Sequence, residues 1–180
     1  MDLTFKIYTR QSQMPNYVFE QFYALMCLSF PEEERRSREG FLRLCRECPY
    51  YKIYTLFEED KLIAFLTVWE FDFFTFGDHF AVLPQMRGAG IGAKLLSSLK
   101  ESVKLPFIIE VELPENEMAK RRIGFYERND LSLCDFDYLL PPMQEGFSPL
   151  PMKIMSYPSL LSQEEFEPFK KVIYKTVYNI

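Results

Sequence analysis

Leu3–Thr9 alternates apolar and polar residues, the two-residue period of a half-buried strand. The spacing then turns helical over Met14–Leu28, with Val18, Phe22, Leu25 and Cys27–Leu28 forming the apolar face. Pro31 breaks that helix, and the charges of Glu32-Glu33-Glu34-Arg35-Arg36 fall in a loop before a second helix, Ser37–Cys45. Three strands follow in quick succession: Tyr51–Glu58, Lys61–Glu70 and Phe73–Leu83. The first two are joined by the short Glu59-Asp60 turn of a hairpin. A helix runs from about Gly90 to Lys104 with Ile91, Leu95, Leu99 and Val103 as its stripe. Pro106–Leu113 is a strand in which Phe107, Ile109, Val111 and Leu113 face one way, and Ile108, Glu110 and Glu112 the other. Asn116 caps a helix running to about Arg128. Leu131–Leu140 reads as a strand, Pro141–Pro151 as a loop and Met152–Tyr157 as a short last strand. Ser162–Tyr178 carries Phe166, Phe169, Ile173 and Val177 at helical spacing, with Pro168 expected to divide it.

The order β, α, α, three strands, α, β, α, β, β, α predicts an α+β fold. Its sheet is mixed and mainly antiparallel, with helices on both faces. At 180 residues the chain is long enough for one domain with a substantial core, and it holds no repeat, low-complexity segment or flexible linker. Residues 1–157 are expected to form that domain, and residues 158–180 a helical tail packed on it.

Hydrophobic residues make up 48% of the chain and aromatics 17%, which excludes a disordered chain. The net charge of -5 and the absence of any basic face make nucleic acid a poor partner. Such a field draws a cationic or amine ligand weakly and without specificity. The first residues show no charged segment followed by an apolar core, and no apolar run is long enough to span a membrane. A cytoplasmic protein with free thiols is therefore expected. Cys45 and Cys48 have metal-like spacing but no second pair, and the single histidine is His79, so no metal site is expected.

Three of the 7 glycines stand at alternate positions in Arg87-Gly88-Ala89-Gly90-Ile91-Gly92, at a strand-to-helix junction. No Gly-Lys-Ser/Thr follows, and the spacing is not that of a dinucleotide fingerprint. Glycines let a backbone approach a ligand closely, and a helix starting near Gly90 aims free N–H groups and its positive dipole end at the same place. Together they suit a pyrophosphate, with Arg87 and Lys94 adding charge. Tight packing of an apolar helix start is the other reading of the same glycines.

Gln85-Met86-Arg87-Gly88-Ala89-Gly90, completed by Ile91-Gly92, resembles the Q/R-x-x-G-x-G/A signature of the GNAT superfamily of acyltransferases. Upstream, Asp78-His79-Phe80-Ala81-Val82 resembles that family's E-H-F-A-V strand. Downstream, Arg121-Arg122-Ile123-Gly124-Phe125-Tyr126-Glu127-Arg128 resembles its R-R-x-x-F-Y-E-R helix. The element order fits the family fold over residues 3–157. The resemblance implies a sheet splayed between Phe73–Leu83 and Pro106–Leu113 with acetyl-CoA in the gap, its pantetheine paired with the backbone near Phe80–Leu83. Val82 and Leu83 are thereby candidate cofactor-binding residues, and so are Gln85, Arg87, Gly88 and Ala89. Gly90, Ile91 and Gly92 would hold the pyrophosphate, with Asn116 and Tyr126 also against the cofactor. Tyr126 would be the general acid that protonates the departing thiolate. Two departures stand out: Asn129-Asp130-Leu131 replaces x-G-F, where Asn and Asp still tolerate a left-handed cap, and Asp78 replaces the usual Glu.

The implied activity is acetyl-CoA-dependent N-acetylation of a primary amine on a small molecule or peptide by direct attack on the thioester. A non-catalytic acyl-CoA-binding module is the alternative. The chemistry needs a base, an oxyanion donor, and an acid for a thiolate with a pKa near 8.5. The amide of Val82 or Leu83 is the candidate donor. Alternation puts Phe76, Asp78, Phe80 and Val82 on one face, so Asp78 among phenylalanines is the first base candidate, with a raised pKa, or else a surface residue at a strand end. His79 falls on the opposite face. Glu110 and Glu112 share a face and either orient an amine or lie at a solvated sheet edge. Glu32–Glu34 is either an acidic lip for a cationic acceptor or a solvated charge run. The acceptor amine is the expected partner, and both monomer and homodimer remain open.

Overall fold

The structure is a computed structural model and describes residues 2–180. In chain order its elements are β1 (Leu3–Tyr8), α1 (Asn16–Ser29), α2 (Arg38–Glu47), β2 (Tyr51–Glu58), β3 (Lys61–Glu70) and β4 (Thr75–Val82). Then come α3 (Ile91–Ser102), β5 (Phe107–Glu112), α4 (Glu117–Glu127), β6 (Ser132–Leu133), β7 (Tyr138–Leu140), β8 (Leu150–Tyr157) and α5 (Gln163–Val172). A π turn, Ile173–Tyr178, continues α5. One sheet takes the order β1-β2-β3-β4-β5-β8-β6, with β7 also on β8. Every pairing is antiparallel except β4 with β5.

The apolar positions divide between the two faces of this sheet. On one face α1 buries Val18, Phe19, Phe22, Leu25 and Met26, α2 buries Phe41, and α5 buries Phe166. Ile173 and Val177 of the π turn join the same cluster, and Phe169 stacks on Phe74 with ring centroids 4.5 Å apart. On the other face α3 buries Ile91, Leu95, Leu96 and Leu99, and α4 buries Ile123 and Tyr126. The fold is thus α+β with helices on both faces of a mainly antiparallel sheet.

Local differences from the sequence pattern have physical reasons. Cys27 and Leu28 are exposed, because the buried stripe of α1 runs through Phe19 and Met26 instead. The Leu131–Leu140 strand is interrupted: its two ends pair with β8 in registers that differ by two residues. Asp135 and Asp137, poor strand formers, occupy the excursion while Phe136 turns inward. Pro168 does not divide the tail but lies inside α5. Ser162 opens this helix with a reciprocal cap, its side chain accepting from the Glu165 N–H while Glu165 accepts from the Ser162 N–H. Asp130, at φ 67°, supplies the left-handed residue after α4, and its carboxylate is held by Lys100 at 2.8 Å.

The positioning feature is the β4–β5 pair. Only Thr75–Phe107, Phe76–Ile108 and Gly77–Ile109 are partnered, and beyond them the strands part. Asp78 and Glu110 are the first residues past that point.

Candidate functional site

The Arg87–Gly92 loop follows β4 directly. Gly88 and Gly90 have φ of 83° and 74°, and a Cβ on either would meet nothing within 4 Å. They are glycines for the left-handed backbone and for an open face in front of it. Gly92 differs: a Cβ there would lie 3.1 Å from the Phe125 ring, so it serves close packing of α3 on α4. The close-packing reading holds at Gly92, while Gly88 and Gly90 face open space. Gly90 caps α3 without a side chain, and Lys94 is the first residue to donate back to it, at 3.1 Å. The N–H groups of Ile91, Gly92 and Ala93 precede that first helical bond and point out of the helix end. Gln85, Arg87, Ala89 and Lys94 are exposed beside them.

The amide of Leu83 is donated to the Ile63 carbonyl at 2.8 Å, so of the two oxyanion candidates it is not free. Strand alternation turns the Val82 N–H to the opposite edge, into the parting of β4 and β5. Arg87 Nε donates to the Val82 carbonyl on that same edge, at 3.2 Å. Asn116 caps α4 by accepting from the Ala119 N–H at 2.8 Å.

Tyr126 lies on α4 across the parting from β4, its ring 6.1 Å from that of Phe80 and 5.3 Å from that of Phe125. It is 3% exposed, and among the described residues its hydroxyl has no hydrogen-bond partner. Burial pushes the phenol above its usual value, so it stays a proton donor. An unpartnered O–H at the end of a buried ring, beside a gap, is a group with room to serve a ligand.

Asp78 departs from expectation in face, in protonation and in surroundings. Thr67 opposes His79 and Val68 opposes Gly77, so Asp78 is the extra residue of a β-bulge. The bulge resets the alternation. Asp78 leaves the face of Phe80 and Val82 and joins His79 on the α1–α2 side, with His79 Nδ1 3.5 Å from its carboxylate. The carboxylate is completely buried and accepts from Thr67 Oγ1, Trp69 Nε1 (3.1 Å) and Arg36 Nη1 (3.1 Å). Burial alone would raise its pKa, but His79, Arg36 and the Thr67 hydroxyl together hold it well below the ordinary carboxylate value. A carboxylate so held is a poor proton acceptor. His79 Nε2 faces the Glu34 carbonyl at 2.7 Å and therefore carries a proton.

Glu110 is the contrasting carboxylate. It is not at a solvated edge; it is 8% exposed and accepts from the hydroxyls of Tyr138 and Tyr178, the latter at 2.8 and 2.9 Å from its two oxygens. Burial pushes it up to about 8, against the downward pull of the two phenols. It borders a cavity of about 30 Å³ shared with Glu34, Asp78, His79, Glu112 and Arg122, room for roughly two waters. Glu112 is paired with Arg122 at 2.7 Å. The Glu32–Glu34 run forms one 3₁₀ turn whose last carboxylate turns into this cavity, with its pKa raised by burial and by Glu112.

Arg36 and Tyr178 carry no motif. The partners of each lie far off in sequence, Arg36 reaching Asp78 and the Val177 carbonyl (3.0 Å) and Tyr178 reaching Glu110, and no local pattern announces them. Cys45 sits in α2 with its thiol pushed up to about 12 by burial. Among the described residues no three His, Cys, Asp or Glu side chains converge as a metal site, and no helix is long and apolar enough to cross a membrane.

Known proteins resemble this chain in sequence and fold. Residues 49–130, from the approach to β2 through the turn after α4, match the family model described as the acetyltransferase (GNAT) domain. A solved structure from Bacteroides thetaiotaomicron, described as a "Putative acetyltransferase from GNAT family", is 34% identical with a TM-score of 0.88, covering 98% of this chain and 99% of that one. The Bacillus subtilis (strain 168) protein named "Putative acetyltransferase YjbC" is 33% identical over 111 residues, which span 59% of this chain and 54% of YjbC. The chain therefore aligns with about half the length of that curated relative. Arabidopsis thaliana Naa50, solved with the bisubstrate analogue CoA-Ac-MVNAL, shares the fold at a TM-score of 0.64 and 13% identity, over 88% of this chain and all of that one. Parting strands, a glycine loop with free helix amides behind it, and a full-length relative at 34% identity together place this chain in the GNAT family of acetyltransferases.

Proposed function

We propose that the protein transfers an acetyl group from acetyl-CoA to a primary amine of a small molecule or peptide. The observation that carries the reading is the parting of β4 and β5 between Tyr126, whose hydroxyl has no partner among the described residues, and the carboxylate of Glu110.

The residues present fit acetyl-CoA. The empty space before Gly88 and Gly90 and the free amides of Ile91–Ala93 suit its pyrophosphate, with Arg87 and Lys94 adding positive charge. The Val82 N–H lies on the open strand edge, where an extended pantetheine would take the place of a strand. Bound there, acetyl-CoA supplies an activated thioester.

This chain's own residues do the rest. Glu110 removes the amine proton, directly or through the adjoining cavity, and a pKa near 8 suits a base working close to neutrality. The Val82 amide donates to the negative charge that develops on the carbonyl oxygen. Tyr126 gives its proton to the departing sulfur. Asp78 keeps the bulge and the Arg36 contact in place.

The test is an amine-panel assay for free CoA thiol, run beside CoA binding by calorimetry. We expect binding, turnover with at least one amine, and an acid limb in kcat/KM near pH 8 that disappears in Glu110→Gln. CoA binding with no turnover on any amine would refute the reaction and leave a binding module.

A further inference from the structure

The last turn of the chain reaches back into the site. Tyr178 donates to both oxygens of Glu110, at 2.9 and 2.8 Å. The neighbouring Val177 carbonyl accepts from Arg36 Nη2 at 3.0 Å, and the other nitrogen of that guanidinium holds Asp78. Ile173 and Val177 are buried in the sheet's core cluster, and the Tyr174 hydroxyl donates to the Leu139 carbonyl at 2.7 Å. The turn is wound as a π-helix, and the Asn179 φ of 62° ends it. It is therefore anchored by packing, by Arg36 and by Leu139, independently of the bond to Glu110. Val177 also lines a cleft of about 670 Å³ with Arg36, Arg43, Trp69 and Met143. The same turn thus borders this cleft and, through Tyr178, reaches the Glu110 carboxylate that borders the smaller cavity.

We infer that Tyr178 is a positioning residue for Glu110, and that the C-terminal turn is a working part of the site. The inference rests on the proposed role of Glu110 as base. Tyr178 fixes the carboxylate at the point where β4 and β5 part and donates to its charged form. The other groups facing Glu110 come from every element around it. They are Asp78 and His79 from β4, Glu34 and Arg36 from the segment between α1 and α2, Glu112 from β5, Arg122 from α4, Tyr138 from β7, and Tyr174 from the same turn. Asp78 raises the cost of the charged form, and Arg36 and the two tyrosines at hydrogen-bond distance lower it. Tyr178 is the member of this set that the tail delivers to the carboxylate itself.

Tyr178→Phe keeps the ring and removes the bond. A donor to the carboxylate favours its charged form, so its loss raises the Glu110 pKa and moves the acid limb of kcat/KM to higher pH. A rise of about one unit corresponds to a tenfold loss below the limb, with rates above it within about twofold of the parent. Tyr174→Phe, which loses a bond in the same turn but none to Glu110, should leave the limb in place. The carboxyl 13C signal of Glu110, titrated by NMR in the protein without acetyl-CoA, gives the same reading without turnover and should move up in Tyr178→Phe. An unmoved Glu110 titration in a folded Tyr178→Phe would overturn the inference. If Glu110→Gln keeps the parental rate and limb, the base assignment falls instead, and the NMR titration still decides whether Tyr178 governs the carboxylate.

Discussion

Replacing Asp78 by Asn separates a structural anion from a base. The change keeps the shape of the side chain and removes a fully buried charge. Arg36, only 11% exposed at its side chain, then loses its ionic partner. Breaking a buried pair costs about 3–5 kcal/mol. Arg36 keeps the Val177 carbonyl and its place 5.4 Å from the Trp69 ring centroid, while an amide oxygen in the place of Oδ2 still accepts from Trp69 and the amide nitrogen faces the Thr67 hydroxyl. We therefore place the cost at about 2–4 kcal/mol, near the lower end of that range. For a chain of this size each kcal/mol lowers Tm by roughly 2–4 °C, so about 3 kcal/mol is a drop of roughly 6–12 °C. The pH dependence follows from a folded pKa held below the unfolded one. The contribution of Asp78 is complete above the unfolded value of about 3.9 and is lost as pH falls through the lower folded value. Urea denaturation at pH 7 should thus show the full gap between parent and variant, and the gap should close at strongly acid pH. Catalysis should respond in the opposite sense from the loss of a base. With one negative charge gone, Glu110 ionises more readily, so the acid limb of kcat/KM persists and moves to lower pH. A stability loss under about 1 kcal/mol at pH 7, or disappearance of the limb, would refute this account.

Gly90→Ala should fold, at a cost of about 1 kcal/mol for a left-handed alanine, yet weaken CoA binding at least roughly tenfold by calorimetry, because its Cβ points into the open face. Unchanged affinity would remove the loop from the cofactor site. Tyr126→Phe should keep CoA affinity and lower kcat by about 10²-fold where chemistry limits the rate, and a parental kcat would return the residue to the core. Ser162→Ala removes the side-chain half of the α5 cap and leaves the Glu165 carboxylate on the residue 162 N–H, and thermal melts should show a loss of about 1 kcal/mol, or roughly 2–4 °C. CoA binding should be untouched.

The order of elements along the chain, the two-faced core and the left-handed residue after α4 were legible because each follows from local pattern: a two-residue period, a stripe of apolar residues, or an Asp where a left-handed φ is needed. The glycine loop was legible for the same reason, since strand, glycines and helix start lie within a dozen residues. Asp78 was misread because a single bulge inverts every later assignment of face, and nothing local marks where the extra residue falls. The contrast between Asp78 and Glu110 was hidden as well. Both are carboxylates on strands, and what separates them is Arg36, His79 and Trp69 around one and two phenols around the other. These neighbours are set by tertiary packing, as is the arrival of Tyr178 from the far end of the chain.

The three-rung seam between β4 and β5 also has a mechanical meaning. The sheet is two stiff plates, β1–β4 and β5–β8, joined along a short weld, with the Arg36 clasp to the C-terminal turn bridging them at the open end. A wedge driven between two such plates would pry them apart. An extended molecule that bonds to the exposed rim of β4 would instead act as a spline and lengthen the joint. Such a ligand would extend a joint that the chain itself makes only three pairs long, and by binding the folded form it would stabilise it.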